Sequence, residues 1–231
     1  MATALKKIQD LTDHGEKFRQ MCLHYAHLLA AEGKIVKPFH SSELPVFSAL
    51  NAEQKQTAID FIGSALVVFE ETQAEGFRLS DSPRLLWRAL RKLKWTPQSD
   101  VFDKIHETDV VTVYSAQQIQ TFQNLNFFDW VSVTLEDLYA APWHHYSRRE
   151  AKCAELIYKH AIELFSGGRP STFSPGIPEH YIEEVGTEGL TKFYIDVHTF
   201  SPLKQDGQIV GALVLNRCRA WDGVPCTVPL L

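Results

Sequence analysis

The sequence contains no apolar run approaching the roughly 20 residues that a membrane-spanning helix needs. Its opening stretch, MATALKKIQDLTDHGEKF, is polar and lacks the apolar centre of a signal peptide, so a cytoplasmic location is expected. Cysteine is scarce: Cys22, Cys153, Cys218 and Cys226 are the only four, and none forms a Cys-x-x-Cys pair. That spacing argues against a disulfide framework or a zinc site and for reduced thiols. There is no Gly-x-Ser-x-Gly, no Walker loop, no His-Glu-x-x-His and no Gly-x-Gly-x-x-Gly. The acidic pair Glu136-Asp137 sits at a helix start, where carboxylates serve capping and the helix dipole. Glu183-Glu184 falls on a strand, where adjacent side chains face opposite ways. No catalytic constellation is therefore expected. A net charge of −5 argues against nucleic acid as the main partner.

What is present is an ordinary globular balance, 45% hydrophobic and 22% charged, over 231 residues. The charge is uneven. Residues 1–100 carry 13 Lys and Arg against 12 Asp and Glu, whereas residues 101–231 carry 10 against 16. Two regions are expected: a helical region over residues 1–98 and an α+β domain over residues 104–220, followed by a tail at 221–231. In the first, Phe18, Met21, Cys22, Tyr25, Leu28 and Leu29 recur at helical spacing within a helix read from Leu5 to Ala31, stopped by Gly33. Asn51 starts a second helix that ends near Gly76. Ser80-Asp81-Ser82-Pro83 starts a third, Pro83 to Trp95, and Pro97 ends it. Residues 96–100 read as the linker.

Beyond the linker the period changes. Val110 to Tyr114 and Ile119 to Phe122 read as a hairpin. Helical signals fill Thr134 to Phe165, with a break at Pro142 and a stop at Gly167-Gly168. His180 to Val185, Thr191 to Phe200 and Gln208 to Asn216 read as strands, the last two joined by the tight turn Asp206-Gly207.

The stretch NLNFFDWVSVTLEDLYAAPWHHYSRREAKCAELIYKHAIELFSGG, Asn124 to Gly168, resembles the PAS sensor family. It has an Asn, an apolar patch, the turn Thr134-Leu135-Glu136-Asp137-Leu138, the step Pro142-Trp143, and a helix leading to Gly. SPLKQDGQIVGALVLN, Ser201 to Asn216, is similar to the closing hairpin of such domains. The resemblance covers about residues 104–220. It implies a five-stranded antiparallel sheet crossed by helices, with any small ligand held between them. It also implies a sensory or regulatory role, with output through a signalling partner or a homodimer because no output segment follows.

Candidate ligand-binding residues are Phe127, Phe128, Trp130, Tyr139 and Trp143 from the helical side, with Tyr194, Asp196 and His198 from one face of the strand Thr191 to Phe200. Haem-binding members carry a histidine on the longer helix, and His160 holds that place here. The flavin-binding Asn-Cys-Arg-Phe-Leu-Gln motif is absent. His24 and His27, and the neighbours His144 and His145, lack further ligands, so no metal is expected. The third helix carries five positive charges and no acid between Arg84 and Lys94, with Leu86, Leu90 and Leu93 as its apolar stripe. Arg84, Arg88 and Arg91 are its candidate partner-binding residues. Two alternatives stand beside the sensor reading. One is a small-molecule-processing enzyme on the same α+β cavity scaffold, with Asp196 and His198 in its pocket. The other is a structural adaptor with a filled core that docks through the third helix.

Overall fold

The computed structural model describes residues 4–185, 191–224 and 227–231. Its elements are α1 (Ala4–Gln9), α2 (His14–Ala31), α3 (Pro45–Ser48), α4 (Ala52–Ala74), α5 (Ser82–Leu93), β1 (Val110–Ser115), β2 (Gln120–Gln123), α6 (Leu135–Ala140), β3 (Ser147–Arg149), α7 (Ala151–Phe165), β4 (His180–Glu184), β5 (Lys192–Gln205) and β6 (Gln208–Ala220). The chain is α+β: α1 to α5 come first, and the strands follow with α6 and α7 among them. All five expected strands are present, and every neighbouring pair in the sheet is antiparallel.

The sheet has six strands rather than five, in the order β2-β1-β6-β5-β4-β3. The added strand, Ser147–Arg149, falls inside the stretch read as helical. It is only three residues long, too short to show a period, and it exists because its backbone pairs with β4. The expected first helix is two. Asp13 accepts a hydrogen bond from the Glu16 N–H at 2.7 Å and so restarts the helix as an N-cap. The second helix starts as read, with a capping box between Asn51 and Gln54.

The linker is not a free connection. Thr96 pairs with Lys204 at the end of β5, N–H to O at 2.6 Å and back at 2.9 Å. Just before it, Trp95 lies over Gly211 of β6, where a Cβ would come within 2.6 Å of the indole. Helical region and sheet share one apolar core that runs from Phe18, Tyr25, Ile62 and Phe69 through Leu138 and Tyr139 to Val111, Val113, Leu213 and Leu215. Leu44, the left-handed residue before α3, has no side-chain cap. The buried Glu136 of α6 supplies one instead, accepting from the Val46 and Phe47 N–H groups at 2.9 and 3.0 Å.

Residues 227–231 also join the structure. The Leu231 backbone exchanges hydrogen bonds with Arg149 at 2.8 and 2.9 Å, on the side of β3 away from β4. Cys22, Cys153 and Cys218 are unbonded, while Cys226 and part of the expected tail lie outside the described residues.

Candidate ligand-binding crevice

Cross-strand partners share a face of the sheet, so register decides what faces the crossing helices. Val110, Thr112 and Tyr114 on β1 oppose Asn216, Val214 and Ala212 on β6. Val197 and Ile195 on β5 oppose Asn216 and Cys218. Together with Phe193 these residues form the floor of a crevice. Its first chamber, about 70 Å³, is roofed by Ile157, Tyr158, Ala161 and Phe165 of α7. The second, about 50 Å³, lies under Phe127, Trp130, Val131 and Tyr146. Tyr114, Trp143, Arg149, Ile195 and Asn216 line both.

Arg149 is the unusual member. It is only 9% exposed, and among the described residues no carboxylate lies within ion-pair distance of it. Its Nη1 donates to Nε2 of His180 at 3.3 Å, its guanidinium lies 4.7 Å from the centre of the Trp143 ring, and its Nε has no partner. Burial pushes the guanidinium pKa down. His180 accepts from Arg149 because its Nδ1–H donates to the Pro178 carbonyl at 2.9 Å. Burial first, and the Arg149 charge second, push the His180 pKa down to about 4, so the imidazole is neutral at pH 7.

Other polar residues line the same crevice. The buried Tyr146 hydroxyl and Gln118 Oε1 have no partner. The Tyr114 hydroxyl accepts from Gln120 Nε2 at 2.9 Å, Gln120 Oε1 accepts from Gln123 Nε2 at 3.2 Å, and Gln123 Oε1 accepts from the Tyr139 hydroxyl at 3.1 Å. This chain runs from the crevice wall to α6. Glu184 is the only carboxylate on either described wall. Its oxygens accept from the Ser132 N–H and hydroxyl, and burial raises its pKa. Burial holds the Cys218 thiol up at about 12, so it is no nucleophile at neutral pH.

Of the residues expected from sequence, Phe127, Trp130 and Trp143 line the crevice. Phe128 and Tyr139 instead pack toward α2, with ring centres 6.3 Å from that of Tyr25. Tyr194, Asp196 and His198 lie on the opposite face of β5. There Tyr194 stacks under Arg219 at 3.8 Å, Asp196 stands across from Arg217, and His198 Nε2 is 3.3 Å from Asp109 Oδ2. The alternation was legible, but it does not say which face is inward. His198 is moreover the extra residue of a bulge, which returns Phe200 to the crevice face. His160 is buried outside the crevice, against Phe173 and Phe200, and its Nε2–H donates to the Pro175 carbonyl at 2.9 Å. A haem in the crevice would not meet this histidine.

The partner-binding candidates on α5 are largely occupied. Arg84 pairs with Asp81 and lies 3.7 Å from the Phe77 ring centre, and Arg88 forks onto Glu75. Arg91 stacks at 4.6 Å on the half-exposed Trp87. Arg149, Tyr114, Asn216 and Tyr158 were not singled out from sequence. The one available signal was the Arg148-Arg149 pair at a helix break, where a strand turns one arginine in. No helix among the described residues is long and apolar enough to cross a membrane, and none of their His, Cys, Asp and Glu side chains cluster as a metal site. No protein-family model matches the chain, and no curated protein matches it.

Proposed function

We propose that this chain is a cytoplasmic regulatory module of the PAS-like kind. It takes a small molecule between the sheet and the crossing helices and passes its presence to the N-terminal helices. The observation that carries the reading is the two-chambered crevice, walled by aromatic and aliphatic side chains with a few convergent polar groups, as small-molecule sites are. The chain Tyr114–Gln120–Gln123–Tyr139 supports the second half: a ligand competing for the Tyr114 hydroxyl would change the hydrogen bonding of α6, which packs on α2 and α4. Output would then pass through a signalling partner or self-association.

Asp196 and His198 face away from the crevice, which leaves the enzyme alternative without its titratable pair. Native mass spectrometry of protein purified without added cofactor tests the proposal. A small-molecule adduct that is lost on denaturation, with altered amide exchange in α2 and α4 once it is removed, is the expected result. A clean apo mass, together with no exchange change on titrating small organic molecules, would overturn it.

A further inference from the structure

The geometry points to a small monocarboxylate as the ligand of the crevice, its carboxylate on Arg149 and its apolar body in the first chamber. This rests on the ligand-binding reading above and goes further by naming the chemical class. A buried guanidinium without a counter-ion is costly, and structures rarely leave one without a role. Here the charge is held in place: the Arg149 backbone exchanges both its hydrogen bonds with Leu231 and stands across from Ile182 of β4, and its head is fixed by Trp143 and His180. Arg149 stands on the wall common to both chambers, and its Nε has no partner. A guanidinium edge and a planar carboxylate match as a fork, and inside an apolar cavity that pairing excludes a neutral competitor.

The number of charges sets the class. Arg149 is the one cation on the two described walls, and His180 beside it is neutral. One negative charge is therefore compensated, and a dicarboxylate or phosphate dianion would leave a second charge in apolar surroundings. The one acid on the two walls, Glu184, lines the second chamber, which places the ligand toward the first. The first chamber holds no acid, and Tyr158, Phe165, Phe200 and Val214 offer it an apolar surface. Asn216, on the wall of both chambers, adds a neutral amide. Size sets the body. A cavity of about 150 Å³ takes up benzene, so chambers of about 70 and 50 Å³, each less than half of that, suit a short aliphatic chain and not an aromatic ring.

Calorimetric titration of the full chain with acetate, propionate and butyrate, each against its uncharged amide, tests this. At least one acid should bind at least tenfold tighter than its amide, and Arg149→Met should remove that preference. Amides that bind as tightly as the acids would overturn the carboxylate assignment while leaving a ligand crevice in place. So would undiminished acid binding by Arg149→Met. If neither acids nor amides bind, the assignment falls. Xenon titration followed by methyl NMR shifts of Ile157, Ile195 and Val214 then separates an accessible chamber from a filled one. The acid–amide comparison is made on the unmodified protein, so it stands even if Arg149→Met fails to fold.

Discussion

The guanidinium of Arg149 lies 4.7 Å from the ring centre of Trp143, and both side chains stand on the wall between the two chambers. The stack offsets part of the cost of burying the charge, since a desolvated cation–π contact contributes about 2 kcal/mol. It does not supply the missing anion, because the effective penalty of a buried ion is several kcal/mol. Arg149 is thus a residue whose place costs stability.

Arg149→Met is therefore expected to stabilise the ligand-free protein, by about 1–3 kcal/mol. Methionine keeps much of the side-chain volume and packs against Trp143. It forfeits the bond to His180 Nε2, which limits the gain. Urea unfolding at pH 7 measures the difference. A variant less stable than the parent would mean that the guanidinium is held for structure.

His180 predicts a pH dependence. Its folded pKa, about 4, lies below the ordinary 6.5. Between these values the unfolded chain binds a proton that the folded chain does not, so stability must fall as the pH drops from about 6.5 to about 4. The full contribution, present above pH 6.5, is up to about 3 kcal/mol. His180→Gln should remove most of this slope while keeping an acceptor for Arg149. Arg149→Met should remove part of it, because the arginine charge is the second cause of the shift. Urea unfolding at half-unit pH steps gives the three slopes. An unchanged slope in His180→Gln would assign the acid sensitivity elsewhere.

What the sequence shows and what it hides follow from the range of the interactions. The five expected strands, the start of α4 and the Asp206-Gly207 turn are set by residues within one element, and each was legible. β3 was not, because three residues carry no period and its pairing partner lies some thirty residues on. The linker looked open because Thr96-Pro97 is a local breaker, while its partner Lys204 is a distant one. At the site, aromatic content pointed to Phe127, Trp130 and Trp143, which line the crevice. β5 misled for a specific reason: two-residue alternation is symmetric between the faces, and the bulge at His198 breaks its phase. Arg149 was hidden because charged residues are read as exposed until a fold buries one.

Gly211 makes the joint between linker and sheet testable. A Cβ there would meet the Trp95 indole at 2.6 Å and the Tyr114 carbonyl oxygen at 2.7 Å. The indole can shift, but the backbone oxygen within the β1–β6 pair cannot. Gly211→Ala is expected to cost about 1–3 kcal/mol, as overpacking does. Adding Trp95→Ala should recover little, since it relieves only the softer contact and opens a gap. Thermal unfolding of the single and double variants decides this. Full recovery in the double variant would show that the strand yields at Tyr114.

Asn124 ties α5 to the first hairpin, and the loss on removing it can be divided. Its Oδ1 accepts from the Val111 N–H at 3.0 Å, and its Nδ2 donates to Ser82 Oγ and to the Asp109 carbonyl, each at 2.8 Å. All of this is fully buried. Asn124→Ala leaves the Val111 N–H without an acceptor, whereas the Asp109 carbonyl keeps the bond from Asn126 Nδ2 at 2.9 Å. The cost should be about 1–3 kcal/mol, that of one orphaned buried donor. Ser82→Ala removes the tie to α5 and orphans one Asn124 Nδ2–H while the backbone bonds of β1 stay, so it should cost about 1 kcal/mol, the low end of that range. Asn124→Asp keeps the acceptor for Val111 but sets a carboxylate against the Asp109 carbonyl, so it should be at least as damaging as alanine. Urea unfolding of the three variants tests this order. If Ser82→Ala were as costly as Asn124→Ala, the tie to α5, and not the backbone of β1, would be what Asn124 chiefly secures.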